Sequence, residues 1–137
     1  MSTGFFGNTR WNGRQWARFV TRAALFALVL IAALAAAAAW SIASGVQAAS
    51  EAALAEHPGD RVPALMAYVE SPTHTLRARD RAVWALGQVA DARALPVLEK
   101  HLTGKACDHD RDLCQYELRK AIRLCRGTPN MLAFTWR

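Results

Sequence analysis

Thiols, an imidazole and carboxylates crowd into one short stretch, where Cys107, Asp108, His109, Asp110, Asp112 and Cys114 follow one another closely. Thiol and imidazole are the groups that hold soft metals, and two thiols this close in the chain are also natural partners for a disulfide. A metal reading built on Cys107, His109 and Cys114 lacks the paired short spacings of a zinc module, so the sequence alone predicts no metal and no cofactor. A Cys107–Cys114 bridge is the candidate pairing: it would close an eight-residue loop and remove unfolded-state entropy of ~2.5 kcal/mol in the chain-entropy model. Cys125 falls at a core-like position and reads as a buried apolar thiol. His57, His74, His101 and His109 are scattered over loop-like or surface-like positions. No serine, cysteine or carboxylate stands at motif spacing to pair with them, and no glycine loop is built to cradle phosphate. An enzyme is therefore not expected.

Helices must position these groups, because no stretch alternates with period two. Asp60 reads as an N-cap with Pro63 inside the first turn, opening a helix that runs to about Glu70 and breaks at Ser71-Pro72. Leu76, Ala82, Val83, Leu86 and Val89 share one helical stripe, and Asp91 caps a further helix predicted to run through Leu95, Leu98 and Leu102 to Gly104. A fourth helix is predicted from about Asp112, carrying Leu118, Ala121, Ile122 and Cys125 and ending at Gly127.

Internal comparison exposes a repeat. Val62-Pro63-Ala64-Leu65 returns 33 residues later as Leu95-Pro96-Val97-Leu98, and Ala82-Val83 returns 39 residues later as Ala121-Ile122, so the second copy carries about six extra residues between its helices. Two tandem helical hairpins, each with a proline in the first turn of its leading helix, form the pattern of an alpha-solenoid. The run from Arg81-Ala82-Val83-Trp84-Ala85-Leu86-Gly87 through Asp91-Ala92-Arg93-Ala94-Leu95-Pro96-Val97-Leu98 resembles the HEAT-like repeats of phycobilisome lyases and many bacterial proteins. It covers about a sixth of the chain, and the second trailing helix departs from it, with Leu124-Cys125-Arg126 in place of Ala-Leu-Gly. The resemblance implies the fold, a role as a binding platform, and bonds made between repeats by Arg79 and Asp91. It also opens a competing class, a cofactor- or redox-linked enzyme such as a bilin-lyase-like protein. Bilin lyases work on cytosolic targets, and the chain shows no reactive-cysteine motif.

Under the 39-residue offset Arg81 matches Lys120 and Trp84 matches Arg123. With Arg77 and Arg119 these positions point away from the apolar stripes, toward the inner curve of a solenoid. Arg77, Arg81, Trp84, Arg119, Lys120 and Arg123 are thus the predicted partner-binding groove, suited to an acidic peptide or partner helix. Two repeats are short for independent stability, so something must cover their open ends. The candidates are the helix-prone stretch before Pro58, a second copy of the chain, a partner, or the apolar tail with Met131, Leu132, Phe134 and Trp136, the tail being the predicted cap.

The N-terminal part decides location. Of the net charge of +6, +4 comes from Arg10, Arg14, Arg18 and Arg22, which precede position 23 without any acid, and only +2 from the remainder. A nucleic-acid-binding domain concentrates its excess on the folded part, so nucleic acid is not an expected partner. Ala23 to Ile42 holds 20 residues without charge, and at about 1.5 Å each they reach about 30 Å, the thickness of a hydrocarbon core. Trp16 and Trp40 flank the span, and the one-sided arginines place the N-terminus in the cytoplasm. The alternatives are a buried core helix and a secretory signal cleaved near Val46-Gln47-Ala48. The predicted architecture is all-α: a basic segment (1–22), a transmembrane helix (23–42), a stalk or linker (43–59), a HEAT-like repeat domain of two hairpins (60–127) and an apolar tail (128–137). The expected partners are membrane lipid and another membrane or envelope protein on the exported, periplasmic side, with self-association a further possibility.

Overall fold

The computed structural model describes residues 13–129, and these are helical with no strand. The tail expected to cap the repeats lies, from residue 130 onward, outside the described residues, as do residues 1–12.

Helix α1 runs unbroken from Gly13 to Glu56. Alanine, leucine and arginine dominate it, all good helix formers, and Pro58 ends it because a proline restricts the residue before it and cannot continue the hydrogen-bond ladder. It is long and apolar enough to cross a membrane. Its apolar side chains between Leu25 and Leu34 are exposed, Phe26 to 72%, which is not the covering a core helix receives.

The chain divides into two compact units, residues 1–38 and 39–137. In the second unit, the segment expected as a stalk is the end of α1 and takes part in the core: Val46, Ser50 and Ala53 are each at most 3% exposed. Here α2 (Arg61–Glu70) opens on Asp60, whose side chain accepts from the Val62 amide at 3.0 Å, and stops before Pro72. α3 (Leu76–Val89) is capped by Thr75 and closes on Ala90, which is left-handed at φ 56° although it carries a Cβ. Asp91 caps a single tight turn (Ala92–Ala94) that leads into α4 (Leu95–Lys100). α5 (Gln115–Cys125) follows a long loop, and beyond its cap Arg126 the chain turns away at Gly127, whose φ of +94° suits a residue without a Cβ.

Helices α3 and α5 lie side by side, α2 packs on α3, α4 packs on α5, and α2 and α4 also touch. Leu65, Val83, Leu86, Leu98 and Leu118, all fully buried, fill the centre. The close approach of α3 to α5 depends on Gly87: a Cβ there would stand 2.8 Å from Ala121 Cα. Positions 39 residues apart meet directly, since Cys125 Sγ reaches Leu86 O at 3.6 Å.

Two boundaries differ from expectation, for one reason. α4 stops at Lys100 instead of Gly104, and α5 begins at Gln115 instead of Asp112. The fully buried Gln115 side chain accepts from Thr103 N (2.8 Å) and donates to His101 O (3.2 Å) and Leu113 O (3.0 Å), which draws both loop ends off their helical paths. Asp80 on α3 takes the Cys114 amide at 2.8 Å.

Candidate functional site

The last turns of α1 line one side of a cavity of about 420 Å³ with Gly45, Ala48, Ala49 and Ala52, whose short side chains leave it open. Tyr68 of α2 and Ala78, Arg81, Ala82 and Trp84 of α3 form its other walls. Trp84 is half-buried, and its ring edge would stand 3.0 Å from a Cβ at Gly45, so the glycine lets the indole lie close against α1, where an alanine would make it shift by a few tenths of an ångström. The Tyr68 ring stacks on His74 with centroids 3.8 Å apart, and His74 Nε2 lies 3.0 Å from the Glu56 carboxylate at the end of α1. This chain of three residues ties α1 to the α2–α3 turn and fixes the tyrosine wall.

Arg81 is exposed at the rim. Among the described residues, five of the acids form salt bridges with lysine or arginine: Asp60 and Asp91 with Arg93, Glu70 with Lys100, Glu99 with Arg126, Asp108 with Arg111. None of them forms a salt bridge with Arg77, Arg81, Arg119, Lys120 or Arg123. Hydrogen bonds from Arg93, and then from the Val62 amide, hold Asp60 below the ordinary carboxylate range. A hydrogen bond from Lys100 does the same for Glu70.

Four of the six residues predicted as one groove line two separate depressions. Arg81 and Trp84 belong to the cavity beside α1. Arg119 and Arg123 line a second hollow of about 400 Å³ with Leu102, Tyr116, Ile122 and Arg126. Arg77 and Lys120 line neither. The division arises because the end of α1 occupies the flank of α3 and Trp84 turns onto it. Of the bonds implied between repeats, Asp91 acts through Arg93, which also reaches Asp60 at 2.6 Å and so links the starts of the two copies. Arg79 instead donates to Val69 O at 2.6 Å, closing α3 onto the end of α2.

No family model matches the chain, and no curated protein or solved structure is significantly similar to it. The site must be read from its own chemistry.

Cys107 and Cys114 meet across the α4–α5 loop with sulfurs 3.5 Å apart, both as free thiols. This is contact, and it is longer than the roughly 2.05 Å of a disulfide bond. The two differ in character. The Tyr116 amide donates to Cys107 Sγ at 3.4 Å, and this bond, then that from Cys114, lowers the Cys107 pKa. Burial raises that of Cys114. Either sulfur can donate in the contact between them. Burial pushes Cys125 up to about 11, as suits an inert core thiol.

Sequence reasoning missed Glu56, Tyr68, His74, Asp80 and Gln115. Their partners lie outside any motif spacing, so no signal in the sequence marked them.

Proposed function

We propose that the chain is a single-pass membrane protein whose N-terminus stays in the cytoplasm and whose α2–α5 unit, two HEAT-like hairpins forming a short alpha-solenoid, lies on the exported side as an interaction module. The cavity at Arg81 and Trp84 receives an acidic, partly apolar segment of another membrane or envelope protein. One observation carries this reading: an apolar cavity whose rim arginine forms no salt bridge among the described residues begins at Gly45, three residues beyond the uncharged stretch that ends at Ile42. Apolar walls supply affinity, and the rim cation, with Arg77 beside it, selects for a carboxylate.

Retention of the anchor is part of the proposal. Cleavage near Ala48 would strip Gly45 from Trp84 and remove the buried Val46. The two-hairpin reading rests on the repeat and on the meeting of equivalent positions in the paired helices.

A photo-crosslinking residue at Ser44, exposed one turn before Ala48 and outside the cavity wall, is expected in intact membranes to capture one partner through an acidic segment. Arg81→Glu should abolish the crosslink, and a lysine placed in the partner's acidic segment should restore it. Ala48→Trp, which fills the cavity from an exposed α1 position, should prevent partner binding. Co-purification unaffected by both Arg81→Glu and Ala48→Trp rules out this site.

A further inference from the structure

We infer that the loop between α4 and α5 is a zinc-class metal site whose protein ligands are Cys107, His109 and Cys114. The two sulfurs and a ring nitrogen of His109 all lie within 4.8 Å of one another, the property of a group that can close on a single ion. The sulfurs are already near their final spacing. Two thiolates on one tetrahedral zinc, each at about 2.3 Å, stand about 3.8 Å apart, and here they are 3.5 Å apart before any ion is considered. His109 is exposed, so its imidazole can swing the remaining ångström or so without disturbing packing.

The surroundings have the character of a second shell. The Tyr116 amide, in the first turn of the 11-residue α5, points at Cys107 Sγ from 3.4 Å, which favours a thiolate. Cys114 is 9% exposed, and its backbone is pinned by Asp80. The neighbouring Gln115 fixes both ends of the loop through three hydrogen bonds. One ligand is thus rigid, one is held by an amide and one is free to close. Asp108 is engaged by the Asp110 amide and by Arg111, and among the described residues no carboxylate joins the three ligands. The fourth position is therefore left to solvent, the arrangement of a site open to an exogenous ligand. On binding, each thiol releases its proton to solvent as its sulfur joins the metal. The site does not depend on the partner-binding reading of the α1 cavity.

The test uses the full chain in detergent, reduced with a phosphine and kept free of oxygen. Cobalt(II) should produce the intense visible bands of tetrahedral thiolate-bound cobalt at one ion per chain, and zinc should displace them with release of protons. Cys107→Ser and Cys114→Ser should each abolish the bands, whereas Cys125→Ser should leave them. His109→Ala should weaken binding by at least the roughly 10–100-fold that loss of an outer-shell partner costs. Protein isolated with a Cys107–Cys114 disulfide is reduced and titrated in the same way. Absence of bands while thiol titration shows both cysteines free overturns the proposal, as does binding that is indifferent to His109→Ala.

Discussion

Buried polar atoms show most plainly what single residues do in this fold. His101 places Nε2 out of reach of water with no hydrogen-bond partner among the described residues, and burial, then Arg79 and Lys100, lower its pKa from 6.5. A histidine whose folded pKa lies below its unfolded value takes up a proton first in the unfolded state, so stability falls as pH drops through about 6.5 and below. His101→Gln should flatten the fall in melting temperature over that window, and an unchanged slope would assign it to other groups. Gly87 offers a second test. Alanine in a helix interior is ordinarily better than glycine by about 1 kcal/mol. Here the added methyl meets Ala121 at under 3 Å, so Gly87→Ala should instead destabilise by ~1–3 kcal/mol in chemical denaturation. The Asp60 cap and the buried Cys125 were legible in the sequence, because a cap and an apolar stripe are local patterns. Asp80 bonding the Cys114 amide was not, since 34 residues separate the partners.

Among the elements, the end of α1 covers the α2–α5 unit, the role for which the stretch before Pro58 was one candidate; the tail predicted as the cap lies outside the described residues. Val46, Ser50 and Ala53 are buried against the α2–α5 unit, and Glu56 reaches His74. A chain beginning at Pro58 should melt well below one beginning at Ala39, by about 4–8 °C for each kcal/mol lost in a domain of this size. Equal melting temperatures would return the covering role to another segment. The long loop depends in the same way on Gln115. Gln115→Ala leaves Thr103 N, His101 O and Leu113 O without their partner and should cost ~1–3 kcal/mol, with faster hydrogen exchange at Thr103 as its local signature. Helix starts at capped positions were readable from sequence. The ends of α4 and the start of α5 were not, because a side chain from the next helix sets both.

For the whole molecule, an exposed apolar stretch and one-sided arginines lead to a topology that a fusion can check. A reporter active only outside the cytoplasm, attached behind Arg137, should be active. Intact mass of the membrane-extracted protein should include the N-terminal arginines. A mature chain beginning near position 49 would show that the anchor is cleaved and that Val46 is lost from the core.

Charge distribution, the 20-residue uncharged stretch, the helical class and the doubled Val-Pro-Ala-Leu pattern are properties of neighbours along the chain, and the sequence alone determined them. Only the tertiary structure decided that the stalk belongs to the core, that the groove residues divide between two hollows, and that His109 joins the two thiols. Each of these depends on distances between residues that no periodicity relates, set by how closely α1, α3 and α5 approach one another and by a glutamine that reshapes the loop between two helices.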